Sequence, residues 1–290
     1  MSTHIYNVKL FDYKRRLEKP TQRQLLPVQR ALGDLPPLYI IPVPIQPYDQ
    51  GPIGSCTANA ICHAFLIQLR RSIPLSRLFE YYNSRFLSHS VGSEGAYLDD
   101  TFRALQQYGT CREKNWAYII AKQNVRPTTF AFREAKMTRV LSWGVVSSIG
   151  GGLIANLKQV LIQNKPVVFG ILVYSSFESP VVTTTGMVPV PNVQRERLLG
   201  GHAMTMVGFD DAKSAFLVIN SWGKSWGCKY PGTQTRGYCY VPYAYIANPT
   251  LCDECFFMSA INLGPELPPP PKPRPRQRKR RRRQRRRRVR

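Results

Sequence analysis

Hydrophobic positions change their rhythm about halfway along this chain. After a tight loop at Gln50-Gly-Pro-Ile-Gly-Ser55, the run Cys56-Thr-Ala-Asn-Ala-Ile-Cys-His-Ala-Phe-Leu-Ile-Gln-Leu-Arg70 sets Ala58, Ile61, Phe65 and Leu69 on one helical face. Residues 76–86 and 98–108 predict two further helices, the second closed by Gly109. Residues 154–163 predict one more, followed by a continuous apolar strand around Val167. From there the runs are short, rich in β-branched and aromatic residues, and separated by Gly, Pro, Asn and Asp. They fall at residues 203–209, 215–219, 237–241 and 255–261. A helical half followed by an antiparallel β half predicts an α+β fold with two lobes.

Both ends depart from this patterning. Residues 1–46 predict an N-terminal arm, with a charged stretch of helical potential at 13–29 and a proline-punctuated run at 35–47. Residues 47–262 hold the patterned body. Residues 263–275 are proline-rich and predict a semi-rigid spacer, and residues 276–290 predict a disordered arginine-rich tail. No internal repeat is visible.

The length of 290 residues suffices for one sizeable core or two lobes sharing one, and 43% hydrophobic residues predict that most of the chain folds. The net charge of +24 is unevenly placed: 14 of the 41 Lys and Arg lie in residues 272–290, which hold no acid, so the remainder carries +10. In the tail, Arg276, Arg278, Lys279, Arg280, Arg281, Arg282, Arg283, Arg285, Arg286, Arg287 and Arg288 leave no apolar position for a packed helix. Such a run stays extended until a polyanion neutralises it. Nucleic acid is the first candidate partner; a nuclear import signal, a capsid protein surface or an anionic membrane follow. Without interleaved aromatics, phosphates and not bases are the expected contact. The N-terminus lacks the apolar core of a secretory signal. The longest apolar stretch, Val167–Tyr174, is too short to span a bilayer. These features predict a protein without a transmembrane segment, placed in the cytoplasm or nucleus or packaged in a virus particle. Seven cysteines, an odd number, fit reduced thiols better than a full disulfide framework.

A nucleophilic cysteine needs its pKa lowered, its proton moved, and a receiver for the negative oxygen of the tetrahedral intermediate. Cys56 stands where a Gly-rich loop opens a helix, so unpaired helix N–H groups and the dipole favour a thiolate. His202, in Gly200-Gly-His-Ala203, enters a predicted strand, and Asn220, in Val218-Ile-Asn-Ser-Trp-Gly223, ends the next. Adjacent antiparallel strands set such a pair side by side, so that the amide can hold the imidazole.

The loop Asp49-Gln-Gly-Pro-Ile-Gly-Ser-Cys56, the element Gly201-His-Ala203 and the segment Asn220-Ser-Trp-Gly-Lys-Ser-Trp-Gly227 resemble the three motifs of the papain family of cysteine peptidases, in the family's order. The resemblance spans residues 46–262. It is closest to a branch associated with bacteria and large DNA viruses, to which Ser76-Arg-Leu-Phe79, Tyr81-Tyr-Asn83 and segments at 166–170 and 176–178 also conform. It implies a two-lobed papain-like fold, helical first and β-barrel-like second, with a site between the lobes. It implies a hydrolase that cleaves peptide or isopeptide bonds of a polypeptide substrate through a thioester, and it requires no cofactor. Gln50 would be the side-chain oxyanion donor and Cys56 the nucleophile. His202 would be general base and then acid, Asn220 its orienter, and Trp222 the apolar cover over that pair.

Three features depart from the secreted members of that family. Ile53 replaces a cysteine three residues before the nucleophile, and Thr57 replaces an aromatic directly after it. The arm looks too short for a long helical inhibitory propeptide. His4, His63 and His89 stand outside any motif and read as structural or exposed. Cys252-Asp-Glu-Cys255, with Cys228 and Cys239, admits a zinc site or a Cys228–Cys239 disulfide beside the plainer reading of core thiols. A competing function is a structural or virion-packaged protein that keeps the fold as a scaffold and holds nucleic acid with its tail.

Overall fold

The apolar run after the tight loop forms helix α1 (Cys56–Leu69) in a computed structural model that describes residues 13–15, 35–148 and 152–265. Most of the stretch expected to be helical at 13–29, most of the proline spacer and all of the arginine tail lie outside the described residues. Helix α1 is buried from Cys56 to Ile67, and not only along the expected face. One side meets other helices and the opposite side meets a sheet, so it is the central element. Two of its buried polar members are tolerated because they are bonded. Asn59 Nδ2 donates to Ser55 O at 2.9 Å, and His63 Nε2 accepts from Tyr48 N at 3.1 Å.

The next two helices match expectation within a residue or so. Helix α2 (Arg77–Leu87) is capped by Ser76, whose side chain accepts from Phe79 N. Helix α3 (Leu98–Gln107) gives way at Gly109, which has φ of +72° and where a Cβ would lie 1.9 Å from Ala135 O. Only glycine fits there. With α4 (Thr129–Ala135), these helices surround a small core of Ile53, Leu78, Phe79, Tyr81, Cys111 and Trp116.

The remaining strands are β1 (Leu38–Ile40), β2 (Arg139–Val145), β3 (Val167–Tyr174), β4 (Leu198–Asp210), β5 (Ala215–Ile219), β6 (Cys228–Lys229), β7 (Arg236–Pro242) and β8 (Cys252–Asn262). They form one antiparallel sheet in the order β2-β8-β3-β4-β5-β7-β6, with β1 beside β4. Strand β3 is central and nearly all buried, which explains its unbroken apolar run. It pairs with β4 as far as Met206, and β1 takes over that edge opposite Gly208, Phe209 and Asp210. Helix α5 (Leu153–Ile162) packs on β4 and β1, while α6 (Pro180–Thr185) and α7 (Tyr243–Ala247) are short connectors. The α+β expectation holds. Among the described residues no helix is long and apolar enough to cross a membrane.

Candidate active site

The loop before α1 is pinned from several sides. Asp49 Oδ1 accepts from Gly51 N at 2.9 Å, and Gly54 N donates to Glu94 Oε2 at 2.9 Å. Beneath it lies the Arg77 guanidinium, which donates to Asp49 O and to Asn59 Oδ1, each at 3.1 Å, and pairs with both oxygens of Glu113. Tyr48 and Tyr118 sandwich that guanidinium, with ring centroids 4.3 and 3.9 Å away. Cys56 follows this loop as the first residue of α1 and is fully buried. It belongs to the same apolar cluster as Phe177, Trp222 and Trp226.

His202 sits on β4 opposite Ile171 of β3. Strand β4 lies against α1, and Thr205 Oγ1 donates to Ala60 O at 2.8 Å. The β4–β5 register pairs Thr205 with Ile219, so its continuation past β5 carries residues 220–222 alongside His202. There Asn220 Oδ1 stands 2.8 Å from His202 Nε2 and also accepts from Ser221 N at 2.7 Å. The main-chain N–H must face an oxygen, which fixes the amide's orientation. Nε2 must then carry its proton, and Nδ1 is the basic nitrogen of the neutral ring. Trp222 stacks on the imidazole with centroids 4.9 Å apart, and Phe177 and Trp226 meet Trp222 edge-on.

Gln50 joins the same network. Its Oε1 accepts from Ser221 Oγ at 2.7 Å, its N–H donates to Ser221 O at 2.9 Å, and its Nε2 donates to Ile53 O at 3.1 Å. The structure therefore brings Gln50, His202, Asn220 and Trp222 together, with Cys56 at the end of the Gln50 loop. Sequence reasoning gave no role to Ser221, Arg77 or Phe177, although each lies in a segment it had marked, and it passed over Glu94. Trp226 was visible as the second Ser-Trp-Gly of its segment. The tail residues Arg276 to Arg288 lie outside the described residues.

The other cysteines are a separate matter. No disulfide joins any of the seven. Cys252 and Cys255 are on β8, whereas Cys228 and Cys239 are on β6 and β7, with β3, β4 and β5 between the two pairs. At about 4.8 Å per strand, four sulfurs on these elements do not converge on one ion. Among the described residues there is no group of three or more His, Cys, Asp or Glu able to hold a metal. Burial pushes the thiols of Cys62, Cys111 and Cys239 well up, and that of Cys228 up to about 11. Cys255 is raised by its hydrogen bond with Cys252 and by burial. These thiols stay protonated near neutral pH.

Comparison with known proteins identifies the family. The family described as papain family cysteine protease matches residues 46–241. A peptidase C1-like protein of Acanthamoeba polyphaga mimivirus is 34% identical over 241 residues, covering 80% of this chain and 75% of that protein. Among solved structures, xylellain, a cysteine protease from Xylella fastidiosa, superposes with a TM-score of 0.70 at 32% identity, covering 78% of this chain and 87% of that one. Digestive procathepsin L 3 of Tenebrio molitor shares the fold, with a TM-score of 0.62 at 19% identity over 82% of this chain and 75% of that one. The chain thus belongs to the papain family of cysteine peptidases, related to members in bacteria and large viruses.

Proposed function

We propose that this peptidase cleaves peptide bonds with Cys56 as nucleophile, His202 as proton carrier and Asn220 as its orienter. The observation that carries this reading is the 2.8 Å bond between Asn220 Oδ1 and His202 Nε2, on a strand packed against the helix that Cys56 begins. That bond keeps a proton on Nε2 throughout and leaves Nδ1 to exchange one. Cys56 Sγ, as thiolate, adds to the substrate carbonyl carbon while Nδ1 holds the proton. The oxygen gains the negative charge and is met by the Cys56 N–H and by Gln50 Nε2, which has a second proton beside the one given to Ile53 O. The carbon–nitrogen bond breaks, Nδ1 gives its proton to the leaving amine, and a thioester remains. Water then adds with its proton passing to Nδ1, the carbon–sulfur bond breaks, and the thiolate returns.

An epoxide inhibitor of papain-like peptidases, applied near pH 6 and followed by mass spectrometry, tests the assignment. Cys56 should be modified far faster than the six other thiols, and His202→Ala should abolish the difference. Slow, uniform modification of all seven would instead favour a scaffold that has kept the fold without the chemistry.

The arginine-rich tail supports a second activity, the binding of nucleic acid or another polyanion through phosphates, whether in the cell or within a virus particle. The logarithm of affinity for DNA should fall linearly with that of salt concentration, with a slope of about −5 to −10 if most but not all of the basic side chains engage. Deleting residues 272–290 should remove this binding and leave Cys56 reactivity unchanged. Binding that survives the deletion would place it on the body's own +10 charge.

A further inference from the structure

The charge of the folded body is unevenly spread. From Lys114 to Phe177 the only acid is Glu134. Its side chain is buried and faces inward, where it meets Arg112 at 2.7 Å. Over the same stretch Lys122, Arg126, Arg133, Lys136 and Arg139 are all exposed, and among the described residues none of them is paired with a carboxylate. Surface cations elsewhere are met by acids, Arg103 by Asp99 and Asp100 and Lys213 by Asp210.

Helix α4 orders these charges. Ala131, Glu134 and Ala135 form its buried face. At 3.6 residues per turn the opposite face then presents Arg133 and Lys136, with half-buried Phe130 and Phe132 on either flank. The Arg133 guanidinium lies 5.3 Å from the centre of Phe130, and that of Arg126 lies 5.7 Å from the centre of Phe132. Phe132 is anchored from within by Phe79 and Tyr108. A guanidinium resting on a ring is held in place while its edge stays open to an oxyanion.

The root of the tail is fastened beside this face. Asn262 pairs with Arg139 across β8 and β2, and its Nδ2 donates to Met137 O at 3.0 Å. Gly264 N donates to Thr138 Oγ1 at 3.2 Å, and Arg112 donates to Gly264 O at 3.3 Å. A Cβ on Gly264 would lie 2.3 Å from that of Met137, so the chain passes directly against the segment that follows α4. Ten residues separate Pro265 from Arg276, a span of about 31 Å as a polyproline helix. The seven residues of α4 extend over only about 10 Å, so the whole helix is within the tail's reach.

We propose that the outer face of α4 is a binding site for single-stranded nucleic acid, which the tail captures and this face seats. Arg126, Arg133, Lys136 and Arg139 take phosphates, and Phe130 takes the face of a base. The proposal rests on the reading of the tail as a polyanion binder, and it adds the aromatic element that the tail lacks. A duplex keeps its bases stacked inside and offers phosphates alone, so a preference for single strands belongs to the face and not to the tail. Four cations by themselves hold little at ordinary salt. Once the tail has engaged, their contacts become intramolecular and count in full.

The test uses the full chain, with anisotropy of a labelled oligo(dT) and of a duplex of equal length across a salt series. The variant Arg126→Gln/Arg133→Gln/Lys136→Gln/Arg139→Gln should flatten the oligo(dT) slope by about 3 and weaken binding by about tenfold or more. Lys224→Gln/Lys229→Gln, beside β6 at the opposite end of the sheet from β2, should leave both unchanged. Phe130→Ala should weaken oligo(dT) binding about tenfold and leave binding of the duplex and of inorganic polyphosphate as it was. Deleting residues 272–290 separates this proposal from the reading of the tail. If deletion abolishes binding while the four-glutamine variant keeps the parent slope, the tail reading stands and the proposal falls. Binding that survives deletion and is lost with the four glutamines would sink the tail reading and leave the face standing. An equal loss with Lys224→Gln/Lys229→Gln, or a Phe130→Ala effect as large on the duplex, would also overturn the proposal.

Discussion

Asn220 Oδ1 receives both the Ser221 amide and His202 Nε2, so Asn220→Ala would loosen the imidazole and orphan a buried N–H at once. We expect kcat to fall by about 100-fold through misplacement of the ring, with KM little changed. Ser221→Ala acts one step further out, since Ser221 Oγ fixes the carboxamide of Gln50 from 171 residues away in sequence. A fall in kcat of about tenfold at constant KM is expected, smaller than loss of an oxyanion donor itself. Steady-state kinetics on a peptide substrate reads both. Two buried residues outside the site contribute to the dependence of stability on pH. Burial lowers the pKa of His63 to about 3, and its neutral ring stacks on Tyr48. Between pH 6.5 and 3 the unfolded chain binds a proton that the native chain refuses, so His63 makes stability fall on acidification by about 1.4 kcal/mol per pH unit. Glu80 works in the opposite sense. Burial raises its carboxyl well above the usual range, so its contribution is present in acid and is lost as pH rises. Thermal melts of Glu80→Gln should exceed the parent by a margin that grows from pH 5 to pH 8.

The elements that hold the site were legible to different degrees, for reasons of distance along the chain. Helix α1 and its loop were readable because the glycines, the cysteine and the apolar spacing are consecutive. Strands β4 and β5 were readable as runs, and the His and Asn on them through their motifs. Arg77 was not readable as the support of the loop. Its partners Asp49, Asn59 and Glu113 are spread over three segments, and nothing local marks an arginine at a helix start as buried. Strand β1 was hidden because Pro36, Pro37 and Pro42 flank it, a composition that suits an edge but reads as a loop. Strand β2 alternates poorly because its partner β8 is bulged against it. The buried Arg77 makes a sharp prediction for its element. Arg77→Lys keeps the charge but loses the fork to Glu113 and the fit between two rings, and we expect about 2–3 kcal/mol of destabilisation in urea unfolding. Because Arg77 also holds Asp49 O, kcat should drop in the same variant at temperatures where it remains folded.

At the scale of the whole molecule, strand order matters more than any one contact. Strand β8 is inserted between β2 and β3, pairing Phe256 with Val145 on one side and with Val168 on the other. A chain ending at residue 251 would therefore leave β2 without a neighbour and β3 with an open apolar edge. We expect that truncation to pellet on expression, whereas removal of residues 272–290 should leave a soluble peptidase. During synthesis the same topology sets a clock. At roughly 5–20 residues per second, β2 leaves the ribosome on the order of ten seconds before its partner is made. Until then the sheet that carries His202 is unfinished, and we expect the proposed site to stay unassembled, so that the nascent chain does not cut itself, its neighbours on the same message or the factors that attend it. On that expectation, proteolysis begins only once β8 is in place.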